Sequence, residues 1–156
     1  MRFNPSRETE YRTELARRFL QDAEERLHLS DFKGCVQYSQ LAAENAAKAV
    51  IATRRTPSWG HDPSAELLEV AEELGAQHRE SPARLAEICS QLAPEHGRTT
   101  YGEPERFLTP WALYDLQAAQ RSIALAREAV TIMNEVKDSS TKVGSLKDGG
   151  SNANLD

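Results

Sequence analysis

The chain has little of what most often announces a chemistry. It has only two cysteines, Cys35 and Cys89. Both sit inside helical patterns and lack metal-like spacing, so they read as buried thiols in a reducing compartment. Aromatic residues make up 6% of the sequence, and Leu and Ala dominate the apolar set. That balance favours helices over sheets. No apolar run approaches the roughly 18 residues that span a bilayer. The opening MRFNPSRETEYR contains no apolar h-region. No secretion signal is therefore expected, no membrane association, and a cytoplasmic location is the default. Basic charge is not in excess: 19 Lys and Arg face 24 Asp and Glu, for a net charge of −5. This argues against a general attraction to nucleic acid and leaves room only for a local basic patch. There is no P-loop, no Gly-rich dinucleotide fingerprint and no nucleophile elbow, so no cofactor is expected. His28, His61, His78 and His96 lie on different predicted elements without His-x-x-x-His spacing, and no metal site is expected from them.

What is present is helical period. The 156 residues, 39% hydrophobic and 28% charged, suit one domain of ordinary size. Residues 7–28 carry Ala16, Leu20, Ala23 and Leu27 on one stripe. After a short break, Ser30 or Asp31 can cap a second helix over about 31–53. A link this short predicts an antiparallel hairpin. Asp62-Pro63 opens a third helix over about 63–75, and Ser81-Pro82 a shorter fourth over about 82–92. Residues 93–108, with two prolines and two glycines, read as a loop. Thr109-Pro110 opens the longest helix, about 110–137. Its seam of Ala112, Leu116, Ala119, Ile123, Ala126, Val130 and Met133 marks packing along its length. From about 138 to 156 the composition is polar and rich in Gly, Ser and Asn, and reads as a disordered tail. The expected fold is all-α. It is an up-and-down bundle of about five helices over 1–137 (two long, two short, one long C-terminal), followed by that tail.

Helix two is unusually thin. Ala42, Ala43, Ala46 and Ala47 gather on its apolar face, which lets a neighbour approach closely and places the helix at the bundle centre or at a subunit interface. Glu44 and Lys48 are spaced i, i+4 and fall away from that face. They read first as a solvated ion pair of little weight. In the functional reading, Lys48 overhangs a cleft and contacts a phosphate.

The run SDFKGCVQYSQLAAENAAKAVIA resembles the second helix of the HEPN family (higher eukaryotes and prokaryotes nucleotide-binding domain). The resemblance rests on a short acidic turn followed by Ala42, Ala43, Glu44, Ala46, Lys48 and Ala49. Gly60, His61 and Asp62 are similar to the family's His-Asp motif, with Pro63 where a leucine is common. Arg98-Thr99-Thr100-Tyr101-Gly102 resembles its Arg/Tyr stretch before the last helix. These matches span about 7–137. The resemblance implies an up-and-down bundle, commonly a homodimer, with a link to nucleotides or RNA.

One branch of that family consists of metal-independent ribonucleases, often toxins paired with a nucleotidyltransferase antitoxin. Their chemistry uses a histidine to move the proton and an arginine to stabilise the charged transition state. Here Arg55, or Arg54, precedes His61 at suitable spacing. The interval TPSWG is a loop, however, whereas the branch usually carries its motif on a later helix. His61 also suits a structural brace beside the Asp62 cap. Trp59 reads as a loop anchor, or else as a base-stacking face. Arg98 and Tyr101 form a second candidate site: a guanidinium can fork onto phosphate and a phenol can bond to it. Their acidic neighbours Glu95, Glu103 and Glu105 offer ion pairing instead.

The leading expectation is a non-catalytic module binding a nucleotide, an RNA phosphate or a nucleotidyltransferase-type partner through Lys48, Arg54, Arg98 and Tyr101. The alternative is a metal-independent ribonuclease toxin of a toxin–antitoxin pair using Arg55 and His61. The third is a structural helical adaptor.

Overall fold

The computed structural model describes Arg2 and residues 4–147. Among these the fold is an all-α up-and-down bundle with no strand; its one β-bridge joins Glu103 to Leu108. The helices are α1 (Pro5–His28), α2 (Phe32–Ile51), α3 (Ser64–Leu74), α4 (Glu80–Leu92), α5 (Glu95–Tyr101), α6 (Pro110–Leu113) and α7 (Leu116–Lys147). None of the described helices is long and apolar enough to cross a membrane.

Local chemistry sets most boundaries. Asn4 caps α1 by accepting from the Arg7 N–H at 3.2 Å, and Pro5 occupies the first helical position. Asp31 caps α2 by accepting from the Gly34 N–H at 2.9 Å. Asp62 accepts from the Ser64 N–H at 3.0 Å at the head of α3.

Helix α2 is the centre of the bundle. It packs most extensively against α1 and α7 and also touches α3, α4, α5 and α6. Ala42, Ala43, Ala46 and Ala47 are fully buried, and burial is unbroken from Ala42 to Ala52. The thin face therefore serves close packing inside one chain. The main core joins α2 to Leu67 and Val70 of α3, to Leu85, Ile88 and Leu92 of α4, and to Ala129, Val130 and Met133 of α7.

Three expectations change. The segment 93–108 is not all loop: it holds α5 and a 3₁₀ turn, Pro104–Arg106. The last helix is not continuous from residue 110. Tyr114 is extended, and Asp115 restarts the helix by accepting from the Ala118 N–H at 2.8 Å. Ala112 and Leu116, the first two positions of the expected seam, are exposed, whereas Ala119, Ile123, Ala126, Val130 and Met133 are buried. Finally, α7 continues past residue 138 to Lys147. No proline stops it, and extending an existing helix costs far less than nucleating one. Residues 148–156 of the expected tail lie outside the described residues.

Cys35 and Cys89 are both buried and unpaired, and the Cys89 thiol donates to the Ala43 carbonyl at 3.3 Å. Burial pushes both thiols above their ordinary pKa, which disfavours the reactive thiolate. Neither is expected to react with iodoacetamide in the native protein at pH 8. Both should be labelled once it is unfolded, as mass spectrometry would report.

Candidate functional site

Gln40, Glu44 and Lys48 follow one another at i, i+4 along α2. A single-helix wheel places them on a wet face. In the bundle that face is covered, and Glu44 and Lys48 are only 6% and 3% exposed. The solvated-pair expectation is thus corrected: with helices on every side, α2 has no solvent face to offer them. Lys48 Nζ donates to Glu44 Oε1 at 2.8 Å, and Gln40 Nε2 donates to Glu44 Oε2 at 2.8 Å. Burial alone would raise the Glu44 pKa. The hydrogen bonds from Lys48 and Gln40, with the charge of Lys48, outweigh it and hold the carboxyl below its usual range.

Two histidines close over this carboxylate. His61, from the loop between α2 and α3, places Nδ1 3.5 Å from Glu44 Oε1. His96, from the first turn of α5, places Nδ1 3.2 Å from Gln40 Oε1. The two rings stack at 3.5 Å between centroids and 16° between planes. Burial first, then the neighbouring His61, lowers the His96 pKa. One ligand-type atom from each of Glu44, His61 and His96 lies within 4.8 Å of the other two. Local spacing could not show this. The three residues come from α2, a loop and α5, and only tertiary packing gathers them.

The expected ribonuclease pair is divided between two neighbourhoods. The Arg55 guanidinium is taken by Glu69 at 2.9 Å and Glu73 at 2.8 Å, both on α3, while His61 meets Glu44 and His96. Arg54 is exposed and lines a cavity of about 430 Å³ with Leu74, His78 and Glu135. Lys48 is spent on Glu44 and overhangs no open cleft.

Arg98 sits on α5 rather than in a loop. It donates to Glu95 at 2.8 Å and to Glu103 at 2.7 Å, as its acidic neighbours suggested. Glu103 also receives Arg106 at 2.6 Å. Tyr114, absent from the sequence-based candidates, donates its hydroxyl to Glu95 and lies under the Arg98 guanidinium, 5.8 Å from ring centroid to Cζ. Its partial burial, then its bond to the Glu95 carboxylate, pushes the phenol pKa up. The only sequence cue to Tyr114 was an aromatic just before a capping aspartate.

Several large aromatic side chains face water. Both tryptophans are exposed, Trp59 at 91% and Trp111 at 72%, with Phe107 at 93% and Tyr101 at 75%. Trp59 is therefore no loop anchor. The His61–His96 stack ties the Trp59 loop to the helix that carries Tyr101. The Glu103–Leu108 bridge, with hydrogen bonds of 2.9 and 3.2 Å, and Pro104 and Pro110 fix the segment bearing Phe107 and Trp111.

A family model described as HEPN domain matches residues 9–136. The crystal structure of TT1696 from Thermus thermophilus is similar, with 25% sequence identity and a TM-score of 0.68; the match covers 82% of this chain and 97% of that one. No curated protein matches the sequence significantly.

Proposed function

Because the chain belongs to the HEPN domain family, we propose that it is a non-catalytic helical docking module that pairs with a second copy of itself through its aromatic corner. One observation carries this reading. In a chain with few aromatics, both tryptophans and Phe107 are exposed, and Phe107 and Trp111 sit on one braced segment between α5 and α7. Exposed aromatics that a fold fixes in place are the residues that dominate protein interfaces, because each buries a large apolar area at small entropic cost.

The charge pattern supports a protein surface over phosphate. Lys48, Arg55 and Arg98 are each engaged by carboxylates, and the net charge is −5. A nucleotide or RNA phosphate would have to displace those partners. The same pairing weighs against Arg55 as the electrophilic half of a ribonuclease.

Sedimentation equilibrium tests the reading. The wild-type chain should be a dimer, and Phe107→Ser with Trp111→Ser should weaken it at least about a hundredfold, given that anchor residues contribute about 2 kcal/mol or more each. The wild-type dimer should also leave a mixed RNA pool intact in EDTA. A monomeric wild type, a dimer indifferent to both substitutions, or EDTA-resistant cleavage lost with His61→Ala would each count against it.

A further inference from the structure

We propose that Glu44, His61 and His96 form a binding site for one divalent cation of the zinc, cobalt or nickel class. The donor set is two imidazoles and one carboxylate, which suits those ions better than magnesium or calcium, whose sites are built from oxygen. One ligand-type atom from each of the three residues already lies within 4.8 Å of the others. A tetrahedral ion at ordinary bond lengths of about 2.0–2.1 Å would bring such atoms to roughly 3.4 Å apart. The remaining approach falls to His61. Its side chain is half exposed and sits on the loop between α2 and α3, and among the described residues its one polar contact is the 3.5 Å approach to Glu44. Its ring now lies nearly parallel to that of His96. Because imidazole lone pairs lie in the ring plane, His61 must turn for both to converge on one ion.

The surroundings are those of a prepared ligand set. Gln40 donates its amide N–H to Glu44, which turns its carbonyl oxygen toward His96 Nδ1. His96 then carries its proton on Nδ1 and keeps the Nε2 lone pair free. A fixed tautomer, held by an outer hydrogen-bond acceptor, is the usual support of a metal-bound histidine. Lys48 and Gln40 take one contact on each Glu44 oxygen, and an ionised carboxylate has about four lone-pair sites in all, so the carboxylate retains capacity for an ion. Bound there, the ion would clamp the α2–α3 loop to both α2 and α5.

The test uses the untagged full chain, stripped with EDTA and titrated with Co²⁺ (ligand-field absorption) and Zn²⁺ (calorimetry). The expected result is one ion per chain. The melting temperature should rise by roughly 5–10 °C at a hundred times the dissociation constant. His61→Ala should weaken binding by at least about a hundredfold while leaving the circular dichroism unchanged, because that side chain is half exposed. His96→Ala should do the same, whereas His28→Ala and His78→Ala should bind as the wild type does. No saturable binding by the wild type would overturn the proposal, as would stoichiometric binding that survives His61→Ala in a folded variant.

Discussion

Lys48→Met is expected to cost about 3–5 kcal/mol of folding free energy, the range for removing one member of a buried ion pair. Glu44 would be left in the bundle centre with the Gln40 amide and the more distant His61 as partners. An exposed i, i+4 pair would cost only about 0.3–0.5 kcal/mol, so urea unfolding at pH 7 separates the two situations by far more than its error. The double variant Glu44→Gln with Lys48→Met should recover most of the loss, because it removes the stranded charge together with its partner. A single-variant loss below about 1 kcal/mol would mean that water reaches the pair and that α2 is not enclosed as described.

Gly102→Ala should cost about 3 kcal/mol or more locally. Gly102 has φ +72° and ψ −142°, a region that residues with a Cβ rarely enter, and strain there alone is worth roughly 1–3 kcal/mol. An added Cβ would also lie 2.1 Å from the Leu108 carbonyl oxygen and 2.9 Å from the Thr109 carbonyl carbon. Backbone cannot yield as a flexible side chain does, so the corner between α5 and α6 must open. Hydrogen exchange should speed up across residues 99–112, and self-association should weaken with it. Gly97→Ala is the control: it lies inside α5 with nothing within 4 Å of the new methyl, and should be neutral or stabilising by about 0.4–1 kcal/mol. Equal protection in both variants would contradict the close approach of the two segments.

The first four helices were legible in their apolar spacing, and α2 and α3 in a cap aspartate as well. Asp31 is the clearest case: the expected cap residue makes the expected bond. Ser81, the expected cap of the fourth, instead lies within α4, which opens at Glu80 without a side-chain cap. Helix α5 was missed because Pro94, Gly97 and Gly102 looked like loop punctuation. A proline just before a helix and a glycine just after one are equally the marks of a short helix between them. The break at Tyr114 was hidden by the seam, whose spacing runs through Ala112 and Leu116 as though one helix carried them; the Asp115 cap outweighed it. At the site the limit was of another kind. The resemblance drew attention to Glu44, Lys48, His61 and Arg98, and the fold does gather the first three. Their surroundings, however, depend on α1, α4, α5 and α7, which no wheel drawn for α2 contains. The Glu44–His61–His96 cluster and the Tyr114–Glu95 bond join residues far apart in sequence, and short-range spacing carries no trace of them.

The central position of α2 has a consequence for how the chain is made. Of its two main covers, α1 precedes it directly and α7 is the last helix described. At synthesis rates of about 5–20 residues per second, α2 leaves the ribosome roughly 5–20 s before α7 is complete. Through that interval one side of α2 is open to water and to other nascent chains. Its alanines offer little surface for misplaced contacts. Glu44 and Lys48, one helical turn apart, can satisfy each other before anything covers them. The same features that let α2 be buried tightly would make it safe to leave uncovered until the last helix arrives.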